Sequence, residues 1–136
     1  MCIFRLLYKM QKYSKRKVMI GGEKFELFVA DSFTKKAIGL MYRDTIGKKE
    51  GMLFKFDKEG YYSIWMHNML FSIDIFWVDS SGNIVDMVKD AKPCEKFMGL
   101  GCKVYKPKEK SMYVIETASG FAGAASISIG DKVSFA

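Results

Sequence analysis

His67 and Asn68 are the polar side chains whose setting points most directly to chemistry. They lie between two apolar stretches, residues 61–66 and 71–78, and so at a strand end or between two strands. Small domains place binding groups at such positions. His67 is the single histidine of the chain and could serve as an acid, a base or a ligand. The structural alternative is that Asn68 supports a left-handed turn and His67 caps exposed backbone.

Asp74 lies within the apolar stretch 71–78, whose two alternating faces are both predicted to be buried. An isolated buried carboxylate is too costly to keep ionised, so Asp74 needs a partner. Arg43 is the predicted partner, because its planar guanidinium can bind a carboxylate through two hydrogen bonds. The pair would form either part of a pocket floor or an ion pair that fixes a helix against the sheet. The structural role is preferred, since structural ion pairs perturb carboxylates as readily as active sites do.

Trp65 and Tyr42 are the aromatic residues predicted to line a pocket. Their rings offer broad apolar faces, and their polar atoms need partners. Methionines are flexible enough to join such a pocket, although ordinary core packing explains any single one of them. The methionines considered are Met41, Met52, Met66 and Met69.

Cys94 and Cys102 are separated by seven residues, two of which are glycines. A structural zinc site normally needs four ligands and would consume every cysteine and histidine of the chain, so neither a metal site nor a cofactor is predicted. The glycines would let the two Cα atoms approach, which favours a disulfide or a redox-sensitive pair over zinc. Because cytosolic thiols are normally reduced, two unpaired thiols are the default expectation.

The basic character of the chain is concentrated at residues 1–17. Six of the 22 basic residues and none of the 15 acidic residues lie there, which leaves 16 basic and 15 acidic residues in a nearly neutral remainder. Residues 1–17 are predicted to be a basic extension, either frayed or a short amphipathic helix, with the frayed form preferred. Residues 18–136 are predicted to be a single domain. The extension lacks the pattern of a secretory signal and no stretch is apolar enough to span a membrane, so a cytoplasmic protein is expected.

Short apolar stretches bounded by turn-forming residues dominate the rest of the chain and predict a mainly β (α+β) fold. A Gly21-Gly22 turn predicts one hairpin, and the turn at residues 79–83 predicts another. A small barrel-like antiparallel or mixed sheet of about eight short strands with two short helices is expected, because closure protects strand edges. The predicted strands are 18–20, 24–30, 52–56, 61–66, 71–78, 84–88, 111–116 and 132–135, and 89–110 is a loop. The predicted helices are 33–41, for which Asp31-Ser32 offers an N-cap, and 121–126.

Several short motifs follow one another along the chain: Gly39-Leu40-Met41-Tyr42-Arg43, Gly51-Met52-Leu53-Phe54, Trp65-Met66-His67-Asn68, Asp74-Ile75, Asp79 with Gly82, Tyr105 with Pro107, Tyr113-Val114-Ile115-Glu116, Gly120, and Ile129-Gly130-Asp131-Lys132-Val133. Over roughly residues 18–135 this order resembles the domain of unknown function 192 family. The resemblance implies a compact, mostly β fold and no particular reaction. The family pattern usually has lysine where this chain has His67, which is charged only part of the time.

The primary functional hypothesis is a non-catalytic binding domain that holds a small ligand or a peptide segment near the strand end at residues 65–68. One alternative is an enzyme that uses the two cysteines for thiol-redox chemistry, or His67 with Asp74 for acid–base chemistry. Another is contact with an anionic surface or nucleic acid through residues 1–17. The common nucleotide-binding, hydrolase and metalloprotease motifs do not occur in the sequence. The predicted ligand-binding residues are Tyr42, Arg43, Trp65, His67, Asn68 and Asp74.

Overall fold

The structure, a computed structural model, describes residues 3–135. β-Strands are the main regular structure in this part of the chain, with three short α-helices and a 3-10 turn at Phe97–Gly99. The strands are β1 (Lys15–Ile20), β2 (Glu23–Ala30), β3 (Glu50–Gly60), β4 (Ile64–Trp65), β5 (Ile73–Val78), β6 (Ile84–Ala91), β7 (Val104–Tyr105), β8 (Ser111–Ala118) and β9 (Val133–Phe135), and the helices are α1 (Ile3–Met10), α2 (Phe33–Ile38) and α3 (Phe121–Ala124).

Seven strands form one curled sheet in the order β6-β5-β8-β3-β2-β1-β9, and β4 pairs with β7 separately. Neighbours in the large sheet are antiparallel except β2 and β3, which are joined through α2 and run parallel. Lys132, the residue before the edge strand β9, also contacts the other edge of the sheet. Its carbonyl accepts from Gly21 N, just after β1, at 3.2 Å, and it forms a β-bridge with Asn83, just before the other edge strand β6. The sheet edges therefore meet at one end, and the predicted mainly β, barrel-like fold is confirmed as a half-barrel.

The central strand β5 separates two hydrophobic cores. Phe76 and Val78 pack into the core that α3 covers, whereas Ile73, Ile75 and Trp77 pack into the core on the other face. All six residues of β5 are buried. The prediction that both faces of this strand are buried is thus confirmed, and a polar side chain in the strand has to find its partners inside the protein.

Helix α2 begins where the sequence predicts and ends earlier. Ser32 Oγ accepts from Lys35 N at 3.2 Å, which is the expected N-cap bond. The helix stops at Ile38 because Gly39 takes a φ of +52°, so it is three residues shorter than the predicted 33–41. A backbone position with this φ favours glycine, and here it turns the chain sharply towards the sheet.

Other element boundaries also differ from the sequence predictions. In place of a strand at 61–66, β3 continues to Gly60 and only Ile64–Trp65 are extended. The predicted loop 89–110 contains the end of β6 and the short strand β7. The N-terminal segment forms helix α1, which was the less favoured of the two alternatives, and β1 begins at Lys15. Within residues 3–135, no helix has the length and apolar character needed to cross a bilayer.

Candidate functional site

A cavity of about 220 Å³ lies between α2, the β4 region and one face of the large sheet. Its lining surface is about equally polar and apolar, and the polar side chains come from three separate parts of the chain. The lining residues are Lys36, Ala37, Ile38, Gly39, Leu40, Met41, Phe54, Ser63, Ile64, Trp65, His67, Met69 and Glu116. A small cavity in which several polar groups converge beside apolar and aromatic side chains is a common form of small-molecule site.

Glu116 is the buried acid of this cavity. It belongs to β8, a central strand held by β3 on one side and β5 on the other, and it is 4% exposed. Within residues 3–135, no hydrogen bond or ion pair reaches its carboxyl group, and burial raises the pKa of that group to about 8. Desolvation disfavours the charged form, so the carboxyl group is mostly protonated at pH 7.

Trp65 and His67 form one wall of the cavity. The pairing of β4 with β7 holds Trp65, and its ring centroid lies 4.9 Å from that of His67. His67 forms a β-bridge with Cys94, and its Nδ1 is buried without a hydrogen-bond partner among the described residues. A buried nitrogen without a partner is unusual in a folded protein, so both His67 and Glu116 retain unused hydrogen-bonding capacity.

A disulfide-closed loop supports this wall from behind. Cys94 and Cys102 are joined by a disulfide bond, so the default expectation of two unpaired thiols is wrong and the disulfide alternative is the one observed. Gly99 lies inside this loop with a φ of +75°, and a Cβ placed on it would approach Trp65 Cζ3 to 2.7 Å and His67 Cγ to 3.0 Å. The loop therefore packs against both rings at a distance that only glycine allows.

Asn68 and Tyr42 lie beside the cavity and do not line it. Asn68 has a φ of +61°, as expected for a left-handed turn, and its carbonyl accepts from Tyr42 N at 3.1 Å. Asn68 Nδ2 lies 3.7 Å from Met41 Sδ. Asn68 also lines a second cavity of about 370 Å³ together with His67 and Cys94. The structure thus assigns Asn68 a turn-forming role next to the site.

The predicted pairing of Arg43 with Asp74 is wrong. The Asp74 carboxylate accepts from Asp90 N at 2.9 Å and from Ala122 N at 2.8 Å, so backbone donors take the place of the expected guanidinium. Asp74 does not line the cavity that His67 lines. Its role is to join β5 to the end of β6 and to α3.

Arg43 lies instead in a cluster of aromatic rings. Its guanidinium carbon is 4.5 Å from the ring centroid of Phe28, 5.4 Å from Tyr13 and 5.7 Å from Tyr8. Burial raises the pKa of the Tyr13 hydroxyl, and the adjacent positive charge of Arg43 partly opposes that effect. These cation–π contacts stabilise the positive charge, while the Nε of Arg43 is buried without a hydrogen-bond partner among the described residues. Arg43 therefore belongs to a separate feature, away from the Glu116 cavity.

Sequence reasoning identified Trp65 and His67 but missed Glu116 as a site residue. One signal was present, because Glu116 is an acidic residue within the apolar strand motif 113–116. Such a carboxylate, like Asp74, needs either a partner or a pocket. Among residues 3–135, no three His, Cys, Asp or Glu side chains converge as a metal-binding group.

The fold defines a class of protein, namely small half-barrel β domains. A family model described as "Uncharacterized ACR", domain of unknown function 192, matches residues 16–135. The chain belongs to this family. A UPF0127 protein of Pyrococcus horikoshii is 32% identical over 110 residues, which cover 79% of this chain and 85% of the relative. A UPF0127 protein of Thermococcus sibiricus is 32% identical over 120 residues, which cover 88% and 70%.

Two solved structures share the fold. A Sinorhizobium meliloti protein provisionally described as a transcription regulator has a TM-score of 0.82 at 24% identity, with 92% of this chain and 96% of that chain covered. A protein of unknown function from Novosphingobium aromaticivorans has a TM-score of 0.76 at 23% identity, with 90% and 84% covered. At these identities the likeness shows the fold alone.

Proposed function

We propose that this protein is a non-catalytic binding domain that holds a small organic molecule in the cavity above Glu116. One observation carries the proposal: a buried carboxyl group faces a cavity and has no partner within residues 3–135. A buried polar group without a hydrogen bond costs roughly 1–3 kcal/mol. A bound ligand that supplies the missing partner would offset this cost, whereas an apolar residue at position 116 would avoid it altogether.

The cavity suggests what kind of molecule fits. One end carries Glu116, and the walls include the rings of Trp65 and Phe54. Ligand sites commonly combine apolar walls that provide affinity with a few polar groups that fix orientation. A volume of about 220 Å³ favours a small molecule over a peptide segment. The ligand would place one polar group against Glu116 and a flat or apolar body against Trp65.

A fragment screen followed by two-dimensional NMR tests this proposal. Ligands should perturb the Trp65 indole and the backbone amides of Gly39 and His67, and Glu116→Gln should weaken their binding at least tenfold. Asp57→Asn is a matched control, because it changes an exposed acid on β3 outside the cavity. The proposal fails if a broad library is silent at millimolar concentration, or if every ligand maps to another surface.

Thiol–disulfide chemistry is a second candidate, because Cys94 and Cys102 are joined by a disulfide in the loop behind the cavity wall. A redox role requires the disulfide to exchange with a dithiol in solution. Equilibration with glutathione buffers would measure the reduction potential. A value in the range of glutaredoxins or disulfide isomerases would support this role, and a much lower value would identify a purely structural bond.

A further inference from the structure

We infer that the ligand of this cavity is a small organic cation of the ammonium or amidinium class, with its charged end against the Glu116 carboxylate. The inference rests on the proposed function and narrows it to one chemical class. It is drawn from the hydrogen-bonding type of the unpartnered carboxyl group, the aromatic rings in the wall and the glycine next to the carboxyl group.

The Glu116 carboxyl group is the acceptor that the cavity offers to a ligand. In its ionised form it has two acceptor oxygens and no donor. It has no partner among the described residues, whereas the unpartnered Nδ1 of His67 is fully buried and out of reach of a ligand. Ammonium and amidinium groups carry several N–H donors and a positive charge, so they match a site with unused acceptors.

The walls add a second feature that favours a cation. Trp65 and Phe54 both line the cavity, and the face of an aromatic ring attracts a positive charge. A buried carboxylate combined with aromatic rings is a suitable environment for an ammonium or amidinium group. The apolar remainder of the wall would accommodate the uncharged part of the ligand.

Gly39 lies next to the carboxyl group in the cavity wall. A Cβ on this residue would lie 3.0 Å from Phe54 Cζ and 3.9 Å from Glu116 Oε1, so glycine lets the end of α2 pack closely against Phe54 beside the carboxyl group. The residue also has a φ of +52°, which disfavours any other amino acid. The end of α2 therefore forms the part of the cavity wall nearest to Glu116 without a side chain of its own.

Two other titratable side chains line the cavity, Lys36 from α2 and His67 from the segment after β4. Lys36 Nζ lies 4.4 Å from the ring centroid of Phe56, which is not part of the lining. The lysine charge is thus held by a ring outside the cavity. Repulsion from Lys36 would weaken the binding of a cation, so removing this charge should strengthen it.

The protonation of Glu116 gives the inference a measurable pH dependence. Because burial raises the pKa of Glu116 to about 8, a cation that binds the ionised form must displace a proton at neutral pH. The apparent affinity should therefore rise about tenfold per pH unit below pH 8 and level off above it. An anionic ligand would prefer the protonated form and show the opposite trend.

Three probes of the same size and shape test the charge preference directly: benzamidinium, benzamide and benzoate. Benzamidinium keeps its charge over the whole pH range used, and binding would be measured by NMR titration at about pH 6, 7, 8 and 9. We expect benzamidinium to bind at least tenfold more tightly than the other two at pH 8. Its affinity should rise nearly a hundredfold between about pH 6 and pH 9.

Variants separate the contribution of Glu116 from that of the cavity as a whole. Glu116→Gln should abolish both the preference for benzamidinium and its pH dependence, while Lys36→Met should raise benzamidinium affinity about threefold or more. Asp57→Asn, an exposed acid outside the cavity, should change neither. Circular dichroism of each variant would confirm that it is folded before binding is compared.

The possible failures are distinguishable. Tighter binding of benzoate than of benzamidinium, or an unchanged benzamidinium affinity in Glu116→Gln, would overturn the cation inference. If the three probes are silent but neutral fragments bind the cavity, the cation inference fails and the proposed function survives. If neither the probes nor the fragment library perturb the cavity, both fail.

Discussion

Two buried acids in the same sheet, Glu116 and Asp74, have opposite environments. Asp74 accepts two backbone hydrogen bonds, from Asp90 N and Ala122 N, which compensate for the loss of water. Glu116 has no such donors within residues 3–135 and faces a cavity. The same chemical group is therefore a structural element at one position and, in the proposed function, the ligand-binding group at the other.

Glu116 should make the protein less stable as pH rises. Burial raises the pKa of Glu116 from 4.5 in the unfolded chain to about 8 in the folded protein, so between these values the folded state binds more protons. The free energy of unfolding should fall by up to about 1.4 kcal/mol per unit between about pH 5 and pH 8, with no further loss from this group above pH 8.

Chemical denaturation across this pH range, with wild type and Glu116→Gln compared, would measure the effect. The difference between the two curves isolates Glu116 from all other titrating groups. Parallel curves would contradict the raised pKa of Glu116 and, with it, the pH dependence expected for cation binding.

Asp74 should matter for stability and not for ligand binding. Asp74→Ala leaves the N–H groups of Asp90 and Ala122 without their acceptor, and we expect a loss of about 3 kcal/mol in the free energy of unfolding. Urea denaturation would measure this loss, with the exposed Asp57→Asn as the control. A change below about 1 kcal/mol would show that the two backbone hydrogen bonds contribute little.

At the scale of elements, the cavity depends on parts of the chain with little regular structure. Its wall is formed by the two-residue strand β4 and the segment after it, and the disulfide loop between Cys94 and Cys102 packs behind that wall. Short strands supply few backbone hydrogen bonds, so the covalent link contributes order that the sheet does not. The position of the Trp65 and His67 rings is therefore linked to this loop.

Gly99 offers a test of this packing with a control in the same loop. Both Gly99 and Gly101 have positive φ, and alanine should cost about 1 kcal/mol in strain at either position. Only at Gly99 would the new methyl group overlap Trp65 and His67, since at Gly101 the nearest atom is 3.5 Å away on the Lys96 side chain. We expect Gly99→Ala to cost at least about 1 kcal/mol more than Gly101→Ala.

The same pair of variants should also differ in the NMR signal of the Trp65 indole, which Gly99→Ala should shift and Gly101→Ala should leave in place. Equal effects of the two substitutions on stability and on the indole signal would mean that the loop does not determine the position of the wall.

Loss of the disulfide should destabilise the loop and the wall together. Closure of a loop with a sequence separation of 8 corresponds to about 2–3 kcal/mol in the chain-entropy estimate. The double variant Cys94→Ser/Cys102→Ser should therefore have a lower Tm and weaker ligand binding. Reduction of the wild type with dithiothreitol should reproduce the loss, and reductant should leave the double variant unchanged. Equal stability of the oxidised wild type, the reduced wild type and the double variant would contradict the structural role of the disulfide.

At the scale of the whole molecule, one sheet supports two cores. Strand β5 contributes Phe76 to the core under α3 and Trp77 to the core on the cavity side, and all six residues of the strand are buried. The cavity therefore lies against a sheet that is packed on its opposite face as well. A rigid support of this kind holds a binding group in place better than a loop would.

Because the two cores share β5 and its neighbours, they should unfold together. We expect tryptophan fluorescence, which reports on Trp77 and on Trp65 in the cavity wall, to change at the same urea concentration as far-UV circular dichroism. A cavity wall that melts first would separate the two transitions and show that the wall is an independent, weaker unit.

The strands at residues 71–78 and 84–88 could be predicted, since periodic apolar patterns and turn residues act locally. The end of α2 at Gly39 and the break-up of the predicted strand 61–66 could not, because those outcomes depend on packing against other elements. For the site, Trp65 and His67 were found from their residue types and their position at the end of the predicted strand 61–66. Glu116 was missed because its distance from them in the chain conceals their proximity.

The sequence by itself determined the mainly β class, the buried two-faced strand β5, the N-cap at Ser32 and the presence of buried acids that need partners. These properties follow from periodicity, propensity and the cost of burying charge, all of which are local or general. Tertiary structure alone decided which partner each acid has. Backbone donors from β6 and α3 satisfy Asp74. The arrangement of β8, α2 and the wall formed by Trp65 and His67 leaves Glu116 facing a cavity. The sequence could not determine either outcome, because contacts between residues distant in sequence form only when the sheet closes.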